Sequence, residues 1–202
     1  MRSSKSANTS IELLPAIRDR WSPRAFSAKQ VTADLLLKVL EAARWAASSY
    51  NEQPWRFLVA TRQNQDQYQK ALSCLAAANQ EWARHAPVLV FTVVKDAFSN
   101  NNKLNRCAEH DLGLAIGNLS AQATAEGLVL HQMAGIDQDR VRETYGIPDG
   151  YHAVTGIAIG YQGDAAQLPE GWVKKSELAE RTRKPLAETV FSGSWNTPFF
   201  GA

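Results

Sequence analysis

The chain has 202 residues, 22 basic and 20 acidic side chains for a net charge of +2, and a hydrophobic content of 45%. That balance fits one globular domain with a sizeable core, and with no block of like charge it leaves no electrostatic case for a nucleic-acid partner. Two cysteines, Cys74 and Cys107, are spaced as neither a metal knuckle nor a redox pair, so a disulfide framework or a metal site has no support.

The first ten residues are polar, lack the apolar stretch of a secretory signal and are expected to be disordered, leaving a single domain over residues 11–202. The longest apolar run, residues 87–94, is too short to span a bilayer, so the sequence predicts a cytoplasmic protein with no membrane partner. Ile11, Leu13, Leu14 and Ile17 are spaced for a short helix, closed by Arg18 and Arg20 whose charges complement its dipole. Arg20, Ser22 and Arg24 then take alternate positions in a segment that Pro23 holds extended, so two guanidiniums and a hydroxyl can face one way. The set suits a phosphate, each charge-assisted hydrogen bond adding roughly 1.5–3 kcal/mol; it equally describes a solvated basic turn.

Thr32 is placed to cap the next helix, with Asp34 in its first turn and an apolar stripe of Leu35, Leu36, Val39, Leu40 and Ala43. Where that helix stops, Ser48, Ser49, Asn51 and Gln53 gather hydroxyls and amides between two apolar segments, and Pro54 stiffens the exit. Such groups suit the polar edge of a flat heterocycle; alternatively they do no more than satisfy the helix's last carbonyls. Residues 55–61 read as a strand, 65–79 as a helix and 87–95 as a central strand apolar on both faces. His85, just before that strand, reads as a surface or satisfied histidine. Residues 96–106 are polar and without period, either a plain surface connection or a mobile lid.

The helix expected over residues 108–128 carries Gly113, Gly117, Ala121 and Ala125 at i, i+4 spacing and is apolar nearly all round. It is either the buried centre of a monomer or a dimer interface that lets another helix approach closely. Residues 127–137 leave it through a glycine-bounded turn in which Gln132, Met133, Ala134 and Gly135 can aim backbone amides at a ligand. A short helix through Val141 and Tyr145 ends at Gly146, and residues 152–161 form a third strand whose Gly156 and Gly160 allow close approach. No Gly-x-Gly-x-x-Gly follows a strand, so a dinucleotide Rossmann site is unsupported. Arg181 and Arg183 form a second basic cluster, and the tail, with Trp195, Phe199 and Phe200, is expected to pack on a partner subunit. Strands separated by helices, with one long apolar helix, argue for an α+β sandwich.

Read as a unit, Ser48-Ser49-x-Asn51-x-Gln53-Pro54-Trp55 resembles the signature of the nitroreductase family. Arg20-x-Ser22-x-Arg24-x-Phe26 and Arg181-x-Arg183 resemble that family's first and last blocks. The resemblance runs from about Arg18 to Leu186. It implies a nitroreductase-like three-layer α/β/α sandwich, with a mixed, mostly antiparallel central sheet completed by a partner segment in an intertwined homodimer. It also implies FMN as bound cofactor, its phosphate and ribityl held by Arg20, Ser22, Arg24, Arg181 and Arg183. Ser48, Ser49, Asn51 and Gln53 would contact the flavin across the dimer, and Gln132, Met133, Ala134 and Gly135 would line its N5 edge. NADH or NADPH would be a transient donor, replaced in ping-pong fashion by a nitroaromatic, a quinone or a similar small acceptor, with no side chain needed as acid or base. Ala134 stands where the family block commonly has Glu, and His131 and Gln132 are also unusual there. The departures at Ala134 and His131 keep open a flavin- or small-molecule-binding module with little turnover, and a related enzyme reading is a flavoenzyme acting on a pathway substrate or on oxygen.

Overall fold

The apolar run before Lys95 becomes strand β2 (Val88–Lys95), buried at every position but the last. In the computed structural model, which describes residues 5–199, β2 pairs with β1 (Trp55–Thr61) on one side and with β4 (Tyr151–Gly160) on the other. A further strand, β3 (Val129–Met133), pairs with the far side of β4, giving the order β1-β2-β4-β3 with every pairing antiparallel. Among the described residues no strand pairs in parallel, so the sheet expected to be mixed is wholly antiparallel within this chain.

Because β2 is apolar at successive positions, its alternating side chains feed two cores. Leu89, Phe91 and Val93 enter one with Tyr68 and Trp82, while Val88, Val90 and Val94 enter the other with Val39, Leu112 and Leu119. Helices must therefore cover both faces. α2 (Ala33–Arg44) and α5 (Ala108–Ala125) cover one; α3 (Gln65–Ser73), α4 (Ala77–Ala83), α6 (Gln138–Tyr145) and α7 (Trp172–Leu178) cover the other, and α1 (Pro15–Arg18) lies against α5. This is the expected three-layer α/β/α architecture. The stripe of α2 is buried at Leu36, Val39 and Ala43, and Thr32 Oγ1 accepts the Leu35 N–H at 3.3 Å as its cap. No helix among the described residues is long and apolar enough to cross a membrane.

Four local expectations change. Residues 129–133, read as part of a turn, form β3, because an edge strand needs a partner on one side only; Leu130 faces the α5 core, Met133 the opposite one. The helix expected over residues 65–79 breaks at Cys74: Leu75 bridges Ile136, the Ala76 N–H donates to Gly135 O at 3.0 Å and Asp137 N–H to Cys74 O at 2.8 Å. Pairing with the chain after β3 thus overrides helix continuity. The first helix shrinks to Pro15–Arg18, since proline supplies no N–H to extend it backwards, and Ile11 and Leu14 stay exposed. α5 stops at Ala125, where Gly127 turns at φ +76°. Of the first ten residues only 5–10 are described, and Ala7 N–H donates to Arg18 O at 2.8 Å. In the tail, Trp195 is exposed beside Phe191, and Phe200 lies outside the described residues.

Candidate functional site

The segment after α1 and the segment after α7 meet, although they come from opposite ends of the chain. Arg20, Ser22, Arg181 and Arg183 line one cavity of about 190 Å³ with Lys5, Trp21, Ser176, Ala179 and Glu180. Arg20 Nη1 donates to Ser22 Oγ at 3.1 Å, and Arg181 Nη1 donates to Arg18 O at 2.8 Å. Burial, followed by the charges of Arg181 and Arg183, pulls Arg20 below the ordinary arginine range; burial and Arg183 do the same to Arg181, opposed by Asp19. Gathering cations out of water costs free energy that an anion in their midst offsets. The donor set, three guanidiniums, an ammonium and the hydroxyls of Ser22 and Ser176, fits a phosphate, with Glu180 the one carboxylate of the lining.

Arg24 does not line that cavity. The alternation expected from an extended segment is broken by Glu177, a carboxylate buried to 2% exposure on α7, which accepts the N–H of Arg24 at 2.6 Å and of Ala25 at 3.4 Å. Gln162 Nε2 adds a contact to Glu177 at 3.3 Å. The next residues are then stitched to the end of β4: Gly163 N–H donates to Ala25 O at 2.8 Å, and a Cβ at Gly163 would stand 2.6 Å from the Phe26 backbone. The Arg24 guanidinium lies over two rings, 5.8 Å from the centroid of Trp82 and 5.3 Å from that of Trp172. Its Nε is buried with no acceptor among the described residues, a place where a ligand oxygen would complete the bonding.

Behind the same loop stands His131 of β3. Its Nδ1 donates to Pro23 O at 3.0 Å, its ring lies 4.6 Å from that of Trp82, and burial followed by the Arg24 charge depresses its pKa to about 4. The imidazole is neutral at pH 7 and acts as a fixed donor. Glu177 therefore holds the loop's amides and His131 one of its carbonyls, which sets the backbone that carries Arg20, Ser22 and Arg24.

The residues after α2 form a short 3-10 turn (Ser49–Asn51) with unusual backbone: Tyr50, Asn51 and Gln53 all have positive φ, of 52°, 56° and 51°. Asn tolerates the left-handed region, but Tyr and Gln there cost of order 1–3 kcal/mol each, and such strain persists only where its surroundings enforce it. Those surroundings are visible. Ser48 Oγ accepts the Gln53 N–H at 3.0 Å, Gln53 Nε2 donates to Asn51 O at 3.1 Å and Oδ1 at 3.2 Å, and the Ser49 N–H donates at 2.9 Å to Asp111, a carboxylate of α5 that is 3% exposed. Glu52 ties the turn to residues 96–106, accepting the Ser99 N–H at 2.9 Å and Oγ–H at 2.6 Å; these bonds hold its carboxyl below the usual range. Residues 96–106 are themselves a closed loop, with Ala97 bridging Leu104 and Phe98 N–H donating to Lys103 O at 2.9 Å.

At the end of β3, Gln132 and Ala134 are exposed and Met133 is buried in the core, so Met133 has only its backbone to offer. Gly135 O accepts from Ala76 N and Asn79 Nδ2, both at 3.0 Å, and a Cβ at 135 would sit 2.6 Å from Asn79 Nδ2. The structure brings residues 132–135 to the strand whose His131 supports the Arg20 loop. It does not bring Ser48, Ser49, Asn51 and Gln53 there: they precede β1, at the opposite edge, three inter-strand spacings or roughly 14 Å away. Glu177, Asp111 and Lys5 are the residues that motif reasoning missed. The available signal was a carboxylate in register with an apolar stripe, Glu177 four after buried Val173 and Asp111 four before buried Ala115. Lys5 carried no such signal.

Comparison with known proteins agrees with this architecture. The profile of the nitroreductase family matches residues 17–161. A 15.4 kDa protein from Mycolicibacterium smegmatis, known by its position in the ask 5' region, is 30% identical over 149 residues, 71% of this chain and 99% of its own length. A Ralstonia nicotianae protein provisionally named an NADH dehydrogenase/NAD(P)H nitroreductase is 27% identical over 157 residues, 68% of this chain and 78% of its own. Among solved structures, one described as an oxidoreductase containing FMN superposes with a TM-score of 0.89 at 35% identity, covering 98% of this chain and 100% of the other. A nitroreductase family protein from Clostridium difficile 630, at 24% identity and a TM-score of 0.69 over 91% of this chain and 99% of its own, shares the fold. With the profile match spanning all four strands and the helices between them, the chain belongs to the nitroreductase family of oxidoreductases.

Proposed function

We propose that this chain is an FMN-dependent oxidoreductase that takes a hydride from NADH or NADPH and reduces a nitroaromatic, a quinone or a similar small acceptor, donor and acceptor using one site in turn. The observation that carries this reading is the convergence of the first and last basic motifs on a single cavity lined by donors. Arg20, Ser22, Arg181 and Arg183 would hold the phosphate, and Arg24, with its unpartnered buried Nε, a nearby oxygen of the ribityl chain. Bound flavin would supply the electron transfer itself, and the protein's part is to hold and orient it. The relative with 35% identity is described as containing FMN, which supports the same cofactor here.

A homodimer completes the reading. Within one chain the turn at residues 48–53 and the end of β3 lie on opposite edges of the sheet, so one ring cannot contact both unless a second copy supplies one of them. The ridge of α5 supports that pairing: Gly113 and Gly117 are exposed and an added Cβ at either meets nothing within 4 Å. Trp45 and Leu114, also exposed on this side of the chain, and Trp195 and Phe199 of the tail would be covered by the partner.

The test is the visible absorption spectrum of the purified protein before and after adding NADH or NADPH under argon. Flavin bands that bleach with a nicotinamide and return with a quinone or nitroaromatic are the expected result. A colourless protein that takes up no added FMN overturns the proposal, and bleaching without repeated turnover favours a binding module.

A further inference from the structure

One wall of the cationic cavity comes from outside the motifs. Lys5 lines it together with Arg20, Arg181 and Arg183, and the arm that carries Lys5 is fastened at each residue. Ala7 N–H donates to Arg18 O at 2.8 Å and Ser6 Oγ to Asp19 Oδ1 at 2.7 Å. Arg181 Nη1 donates both to Lys5 O at 3.3 Å and to Arg18 O at 2.8 Å, so an arginine of the closing motif clasps the arm to the chain just before Arg20. The Lys5 ammonium donates to Ala179 O and lies 5.4 Å from the Trp21 ring centroid, so it contacts lining residues from both of the segments that form the cavity.

Four hydrogen bonds and a cation–π contact on three residues are more than a solvated terminus needs. They hold a fourth cation beside three that already repel one another. Nothing in the fold of α1 or α7 requires a lysine there, whereas a doubly charged phosphate engages several donors at once. A guanidinium whose Nη1 is committed to two carbonyls has fewer N–H groups to turn inward. An ammonium, with three donors on a flexible stem, can reach a phosphate oxygen and keep its carbonyl contact.

We propose that Lys5 is a further ligand of the flavin phosphate, delivered by the N-terminal arm, and that Arg181 serves in part as the clasp that holds this arm against the cavity. The assignment rests on the cavity being the FMN phosphate site.

The experiment compares FMN with riboflavin, which lacks the phosphate, by fluorescence titration of the full-length apoprotein carrying Lys5→Met or Lys5→Arg. Lys5→Met is expected to weaken FMN about tenfold, the loss of one charge-assisted hydrogen bond, and to leave riboflavin unchanged. Lys5→Arg should recover most of the FMN affinity, because it keeps the charge. Equal loss for both flavins would make the arm a structural strap only, and an unchanged FMN affinity would remove Lys5 from the site; either result overturns the proposal. A wild-type protein that binds both flavins equally, or neither, overturns the phosphate reading of the cavity first and this assignment with it. A preference for FMN that Lys5→Met leaves intact and Arg20→Ala abolishes would spare that reading and sink only the present one.

Discussion

His131 shows how a residue that departs from the family pattern acquires a use. Placed in β3 behind residues 20–26, it is held neutral by burial and by Arg24, with its pKa depressed from 6.5 to about 4, and donates from Nδ1 to Pro23 O. The sign of the linkage follows. An unfolded chain protonates this imidazole near pH 6.5 while the folded chain resists until about 4, so its contribution to stability is present above the unfolded value and is lost as pH falls through that window. The full loss is at most roughly 3 kcal/mol. His131→Asn, which keeps a side-chain donor near the Nδ1 position but does not titrate, should flatten the slope between pH 6.5 and 4 when urea unfolding of the two proteins is compared. Identical slopes would show that the ring is not buried as described. The subtraction matters because His152, drawn upward by Glu109 and Asp96 against its burial, contributes with the opposite sign.

At the scale of elements, what the sequence made legible was local. The stripe of α2 and the doubly apolar β2 follow from spacing alone, and both occur where expected. β3 escaped notice because His131 and Gln132 interrupt a five-residue strand whose pairing partner lies some 25 residues onward. The broken helix at Cys74 depends on Gly135 and Ile136, and the turning aside of Arg24 depends on Glu177, 153 residues away. Periodicity carries no such information. The two basic clusters could be seen singly, but not that they share a cavity, since their meeting is a property of the whole topology. α5 lies between these cases: its small-residue ridge was legible, and the structure leaves Gly113 and Gly117 on an open face. Gly117→Leu should therefore leave the folded single chain intact by circular dichroism while converting a dimer to a monomer in light scattering. A dimer that tolerates leucine there would move the interface elsewhere on the surface.

For the whole molecule, the positions of the two groups of proposed flavin contacts carry a thermodynamic consequence. Residues 20–24 and 131–135 cluster around one edge of the sheet, and residues 48–53 occupy the other, held by Asp111 and Glu52 in a strained backbone. If each flavin is gripped by one edge of its own chain and by the opposite edge of a partner, binding and assembly are a single linked equilibrium. FMN must then tighten the dimer by the same factor by which dimerisation tightens FMN. Flavin at a hundred times its Kd adds about 2.7 kcal/mol to the stability of the state that binds it. Two measurements check this. Serial dilution of the holoprotein should release flavin and dissociate the dimer over the same concentration range, and adding FMN should shift the dissociation midpoint to lower protein concentration. A monomeric Gly117→Leu variant should bind FMN more weakly than wild type while keeping its preference for FMN over riboflavin, because every residue of the cavity proposed for the phosphate comes from one chain. Flavin affinity independent of protein concentration would mean that each chain closes its own site without the turn at residues 48–53 of a partner.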